Sequence, residues 1–456
     1  MKTTSSNAAA GSPDHDGADQ PKLSAARAIA AASIGNALEF YDLLIYGYFA
    51  ITIGKLFFPT GDEWSSLLLS VGSFGISFIM RPLGSIMLGT YADRVGRKAA
   101  LTASILLMMV GTAIIAFVPT YASIGPWAPA IVIVARMIQG FSSGGEFGAA
   151  TAFMVEYVGK DKKGLSASFQ ATTQGLATVL AAGISAVITA VLTPAEVAEW
   201  GWRVAFAFGL LIGPVGFYIR KHTPETPEFQ AEKAAQASSG ETVSPLKDTL
   251  TTGLASLLLG AGVVVAVTAF NYVQKVYMPT YAIKQLGISA SASLTGAVMT
   301  GLMVMLTAPF FGVLSDRIGR IRSIMLAMLA IGLSTYPMFR MLIASPTVTT
   351  LLVTQSLVGV LLAAVLAPLP ALLAEIFPTR NRGTGLALSY NFAVTVFGGF
   401  APLIVTWLIG VTGDKASPSF YVLATILLSL SCLVMLVRRS KTASDIDSDN
   451  IQTQTV

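Results

Sequence analysis

One cysteine in 456 residues, Cys432, leaves no partner for an internal disulfide and no thiolate set for a metal. Histidine is nearly absent too. His15 falls in the N-terminal stretch and His222 in a polar central segment, so neither can relay protons at membrane depth. Charge is equally scarce: 12% of residues are Asp, Glu, Lys or Arg, against about a quarter in ordinary soluble domains. No glycine-rich loop of the Walker type occurs, which excludes direct use of ATP. Without a nucleophile and base set or a ligand cluster, an intramembrane enzyme is disfavoured. No cofactor, no metal and no nucleic-acid partner is expected.

What is present is apolar sequence, 54% of the chain, with a mean hydropathy of +0.69. Twelve apolar runs recur, at about 27 to 54, 65 to 90, 99 to 119, 128 to 157, 164 to 192, 201 to 220, 249 to 281, 290 to 313, 323 to 343, 349 to 375, 384 to 410 and 419 to 438. Each is long enough to cross a hydrocarbon layer of about 30 Å. The pattern predicts an all-α integral membrane protein in a lipid bilayer. Arg94, Arg97 and Lys98, Lys160 to Lys163, Arg220 and Lys221, Arg317 to Arg322, Arg380 and Arg382, and Arg438 and Arg439 fall at ends of one parity. Under the positive-inside rule that side, with both termini, is cytoplasmic. Trp64, Trp127, Trp200 and Trp202 are expected as an interfacial belt on the opposite, outer side.

The chain repeats itself. "GTYADRVGRK" (89 to 98) and "GVLSDRIGRIR" (312 to 322) share G-x-x-x-D-R-x-G-R at a spacing of 223 residues. "EYVGKDKKG" (156 to 164) and "EIFPTRNRG" (375 to 383) recur at 219. Two motif pairs at nearly one offset predict two parallel six-helix units. The expected organisation is a disordered tail over 1–24, a bundle over 25–220, a central loop over 221–248, a second bundle over 249–438 and a tail over 439–456.

These doubled loops resemble the signature of the major facilitator superfamily. "GNALEFYDLLIYGYFA", "FIMRPLGS", "RMIQGFSSGGEFGAA", "EWGWRVAF" and "AEIFPTRNRG" are similar to its metabolite:proton symporter family, and "FGGFAPLIVTWLIGVTGDKASP" is most similar to the citrate and tricarballylate branch. The resemblance implies the major facilitator fold, alternating access, and residence in a bacterial inner membrane. It also implies a conformational latch: Asp93, Arg94, Arg97, Asp316, Arg317 and Arg320, with Glu156 and Glu375. Each aspartate is placed to accept from its own arginine and to lie against a neighbouring helix N-terminus.

Charge at membrane depth is expensive and marks function by default. Counting at 1.5 Å per residue puts Asp42 roughly 22 Å from the inner face and Arg136 roughly 12 Å from the outer, so the two levels overlap. The resemblance puts both on cavity-lining helices, and Asp42 is expected as the proton-binding carboxylate. Contact with Arg136 would favour its charged form; separation would favour the protonated one. Glu39, Glu146 and Arg81 lie at roughly 18, 16 and 13 Å by the same count. Arg81 can pair with either acid or face a substrate carboxylate; fixing helix packing is the competing role for both glutamates.

Lys275 is expected either to offer a point charge to an anion or to snorkel outward, with Pro279 kinking its helix. Gln170, Gln174, Asn271 and Asn391 complete a candidate pocket, helix-helix bonding being their competing role. Gly140, Gly144, Gly145 and Gly148 are expected to allow close packing. Three acids balance three cations, so a bound anion would favour protonation of an acid. The function expected is proton-coupled symport, as a monomer, of a small organic carboxylate such as citrate or tricarballylate. Alternatives are uptake of a zwitterion such as betaine or proline, or a membrane sensor that moves nothing.

Overall fold

The structure is a computed structural model and describes residues 25–95, 97–145, 163–221, 253–377 and 382–454. Within these it is helical throughout. Ten helices are long and apolar enough to cross a membrane, and a bent pair brings the number to eleven among the described residues. A further helix, Trp127–Gly144, fourth in chain order, packs among them and ends where the described residues pause. The chain is thus a multi-pass membrane protein.

We number the spans in chain order: α1 (Ala25–Tyr48), α2 (Glu63–Val95), α3 (Arg97–Phe117), α4 (Trp127–Gly144), α5 (Lys163–Val191), α6 (Trp202–Lys221), α7 (Leu254–Leu286), α8 (Ala290–Ile318), α9 (Arg320–Ala344), α10 (Val348–Ile376), α11 (Thr384–Thr412) and α12 (Ser417–Gln454). The first span differs from the continuous run expected. It breaks at Phe49, and Ala50–Phe57 departs at 64°. Ser70 of α2 donates to the Ala50 carbonyl at 2.8 Å, and Phe57 folds into the core.

Small residues set the closest crossings. Gly84, Gly140 and Gly144 bring the backbones of α2 and α4 into contact, and Gly164, Gly175, Gly301 and Gly312 do the same for α5 and α8. The second crossing joins the two six-helix units. A side chain at these positions would collide with facing backbone, so glycine is required by approach rather than by backbone angle.

Prolines shape the middle of the membrane. Pro82 has no N–H to give to the Phe78 carbonyl one turn earlier, and Thr395 of α11 donates to that carbonyl at 2.8 Å. Pro279 does not break α7. A π-helical turn, Val273–Tyr277, precedes it, and the span continues to Leu286.

Trp202 departs from the expected interfacial belt. It is fully buried, with Phe57 and Phe206 edge-on at 5.6 and 5.7 Å. The reason is its neighbour Arg203, which covers the Trp202 ring and donates to the Ala116 and Val118 carbonyls at 2.6 and 2.8 Å. That closes the C-terminal end of α3 over the indole.

A buried charge network between the bundles

Four charged side chains on three helices meet inside the first unit. Glu39 and Asp42 lie on α1, Arg81 on α2 and Arg136 on α4; all are buried. Arg81 donates to Glu39 Oε1 at 2.6 Å, one of the two acids expected as its partner. Its guanidinium also lies 4.4 Å from the centroid of Phe78.

Asp42 and Arg136 do not form the direct pair that depth counting suggested. Two neutral side chains stand between them. Arg136 donates to Gln139 Oε1 at 2.7 Å, Gln139 Nε2 donates to Thr112 Oγ1 at 3.0 Å, and the Thr112 hydroxyl donates to Asp42 Oδ2. Every donor points from the arginine toward the carboxylate, so each bond polarises the next. Arg136 is held in place by a further bond to Ser77 at 3.1 Å and by the rings of Tyr46 and Phe74, at 4.3 and 5.3 Å.

The second unit presents a polar stripe. Thr268, Asn271, Tyr272 and Lys275 stand at i, i+3, i+4 and i+7 of α7 and therefore share one face. All four are buried, and each carries a polar atom without a hydrogen-bond partner among the described residues: Thr268 Oγ1, Asn271 Oδ1, the Tyr272 hydroxyl and Lys275 Nζ. Tyr272 meets Phe78 edge-on at 5.3 Å and Phe74 at 6.2 Å, so the stripe abuts the aromatic floor beneath both arginines. Lys275 is 1% exposed and does not snorkel.

The amides divide. Asn391 donates to the Gly144 carbonyl at 3.2 Å and so ties α11 to α4. Gln170 and Gln174 are buried on α5, where Asn36 Nδ2 donates to the Gln170 carbonyl at 3.1 Å and to Thr173 Oγ1 at 3.0 Å. Sequence reasoning passed over Thr112, Gln139, Asn36, Thr268 and Tyr272. For the last two a signal existed, the i, i+3, i+4, i+7 spacing in "TAFNYVQK". For Thr112 and Gln139, one neutral polar residue per helix carries no comparable signal.

Contacts join the units on both sides of the central region. On the terminus-bearing side, Asp316 accepts from the Gly164 and Leu165 amides at 2.9 and 3.1 Å, at the start of α5, and from Arg320 at 3.2 Å. Arg320 also pairs with Glu375, and Arg317 is exposed. On the far side Glu63 bridges Lys55 at 2.8 Å and Lys284 at 2.6 Å. The side chains of Asp93, Arg94 and Arg97, and residues Glu146, Gly148 and Glu156, lie outside the described residues.

Membrane-spanning helices in two units around a buried charged centre are the architecture of a membrane carrier. A profile for "Sugar (and other) transporter" matches residues 28–256, and one for the Major Facilitator Superfamily matches residues 264–454. The chain is 37% identical to a citrate-proton symporter of Klebsiella pneumoniae, covering 91% of this chain and 93% of the relative. It is 34% identical to one of Salmonella typhi over 90% and 94%, and 32% identical to a proline/betaine transporter of Escherichia coli (strain K12) over 89% and 82%. Among solved structures, a crystal structure of a D-xylose-proton symporter superposes with a TM-score of 0.71 at 18% identity, over 89% of this chain and 96% of that one. The chain therefore belongs to the major facilitator superfamily.

Proposed function

We propose that this protein couples proton entry to uptake of a small di- or tricarboxylate, of the citrate or tricarballylate kind, across a bacterial inner membrane. One observation carries the substrate class: Lys275 is a buried amine of the second unit with no hydrogen-bond partner among the described residues. An uncompensated buried charge is strongly unfavourable, and a carboxylate arriving between the units would supply the missing partner. Arg81 Nε and Arg136 Nε also lack hydrogen-bond partners among the described residues, which leaves both guanidiniums capacity for a second anionic group. The citrate-proton symporters among the relatives support the same reading.

Asp42 is the group we assign to the proton, and Arg136 tunes it through Gln139 and Thr112. Glu39 holds Arg81, and Glu146 belongs to the same assignment by its place in the sequence. Thr268, Asn271, Tyr272, Gln170 and Gln174 surround the substrate, while Asn391 serves in joining the units. The Asp316, Arg320 and Glu375 contacts, and by repetition Asp93, Arg97 and Glu156, hold the closed face and release it in each cycle. A single chain suffices for this cycle.

A second reading, uptake of a zwitterion, is favoured by the proline/betaine transporters at 32% identity. Proteoliposomes under an imposed pH gradient separate the two. Accumulation of labelled citrate, resisting betaine competition, supports the first; betaine uptake indifferent to citrate and tricarballylate refutes it.

A further inference from the structure

The Asp42 carboxylate has two unlike sides. Oδ2 accepts from Thr112 and belongs to the network ending at Arg136. Oδ1 has no hydrogen-bond partner among the described residues and is turned toward Gly209 of α6, where a Cβ would lie 2.8 Å away. A crevice lies there between α1, α3 and α6, bordered by Leu38, Ile105, Met109, Thr112, Gly209 and Leu210, and it touches Asp42 without touching either arginine. A separate crevice on the arginine side is bordered by Ser77, Arg81, Arg136 and Gln139.

The ionisable groups around Asp42 are distributed unevenly. From α2 comes Arg81, from α4 Arg136 and from α7 Tyr272, all on the inter-unit side. On α1 itself stand Glu39, which borders both crevices, Tyr46 beneath Arg136, and Tyr41, whose hydroxyl donates to the Ala205 carbonyl at 2.8 Å. Neither α3 nor α6 contributes a charged group to the crevice they border. The charged groups bordering the arginine-side crevice include two guanidiniums; those bordering the crevice of α3 and α6 are carboxylates alone.

We propose that Asp42 exchanges its proton with water through the crevice between α1, α3 and α6, apart from the path taken by the substrate. This rests on the reading of Asp42 as the proton carrier. The step is a simple transfer: hydronium gives a proton to Oδ1, leaving water and a neutral acid, and the reverse step returns it. Gly209 is then a spacing residue, since a Cβ there would press on Asp42 Oδ1 and the Tyr41 ring. A bound substrate filling the central region would leave proton release open.

The test needs no substrate. Protein in lipid nanodiscs is brought to a pH at which an infrared protonated-carboxyl band appears that is lost in Asp42→Asn, and its shift on transfer to deuterated water is timed. Gly209→Ala and Met109→Phe, which fill the crevice from two helices, are each expected to slow the shift by about tenfold or more, because too little room for a water remains. Thermal unfolding confirms that each variant is folded; if Gly209→Ala does not fold, Met109→Phe carries the test. Exchange at the parent's rate in the folded variants overturns the route. A band unaffected by Asp42→Asn overturns instead the assignment of Asp42, and the route with it.

Discussion

Asp42 and Arg136 share a network without sharing a bond: a threonine and a glutamine, from α3 and α4, join carboxylate to guanidinium in one direction of donation. Such a link is easier to break and remake than a buried ion pair, because every member is neutral except the two ends. A small shift of α3 against α4 would disconnect the acid from the cation. On the proposed assignment of Asp42, proton affinity and helix movement are tied together.

On that assignment Thr112 is the weak point of coupling. Thr112→Val should lower gradient-driven accumulation while leaving counterflow exchange within about twofold, since only the coupled step loses an interaction. Thr112→Ser, which keeps the hydroxyl, should retain accumulation. Equal accumulation by parent and valine variant would show that the relay has no part in coupling.

Glu39 and Arg81 behave differently because their bond is direct and buried. Arg81→Ala leaves an unpaired carboxylate inside the unit and should destabilise by about 3–5 kcal/mol. Adding Glu39→Gln should restore much of that loss, as read by thermal unfolding in detergent. If the double variant is as unstable as the single, the pair is not what holds α1 to α2.

This contrast also marks what can be read from the chain alone. Glu39 and Arg81 are legible as candidates because charges are rare and helix rise converts position into depth, although depth alone leaves Arg81 a choice between Glu39 and Glu146. The doubled G-x-x-x-D-R-x-G-R loops likewise reveal the two units, and the described copy places Asp316 on the amides that open α5. Thr112 and Gln139 escape because hydroxyls and amides are common in these helices and their roles depend on rotation about the helix axis. Trp202 misleads for the same reason: its position suits an interface, but Arg203 and the bent first span enclose it.

The proposed role of Lys275 predicts opposite effects on binding and stability. Lys275→Met should weaken citrate affinity by about ten- to hundredfold, the loss of one charged hydrogen bond. The same substitution should leave the unfolding temperature unchanged or higher, because it removes an uncompensated buried charge. A variant that loses stability and keeps affinity would make the lysine a structural residue.

Glu63 bridges Lys55 and Lys284 across the far side, yet its side chain is 62% exposed. An exposed pair is worth about 0.2–1 kcal/mol, so Glu63→Gln should shift the population toward the state open on that side by no more than about fivefold. Labelling of single cysteines in a Cys432→Ser background reads the shift. High salt should shrink the difference between parent and variant; a difference that grows with salt would contradict an electrostatic gate.

The proton assignment itself is tested most directly by Asp42→Asn in proteoliposomes, comparing citrate accumulation under an imposed pH gradient with citrate counterflow at equal pH. The account predicts that accumulation is abolished while counterflow persists. Uphill accumulation retained by the asparagine variant would contradict it.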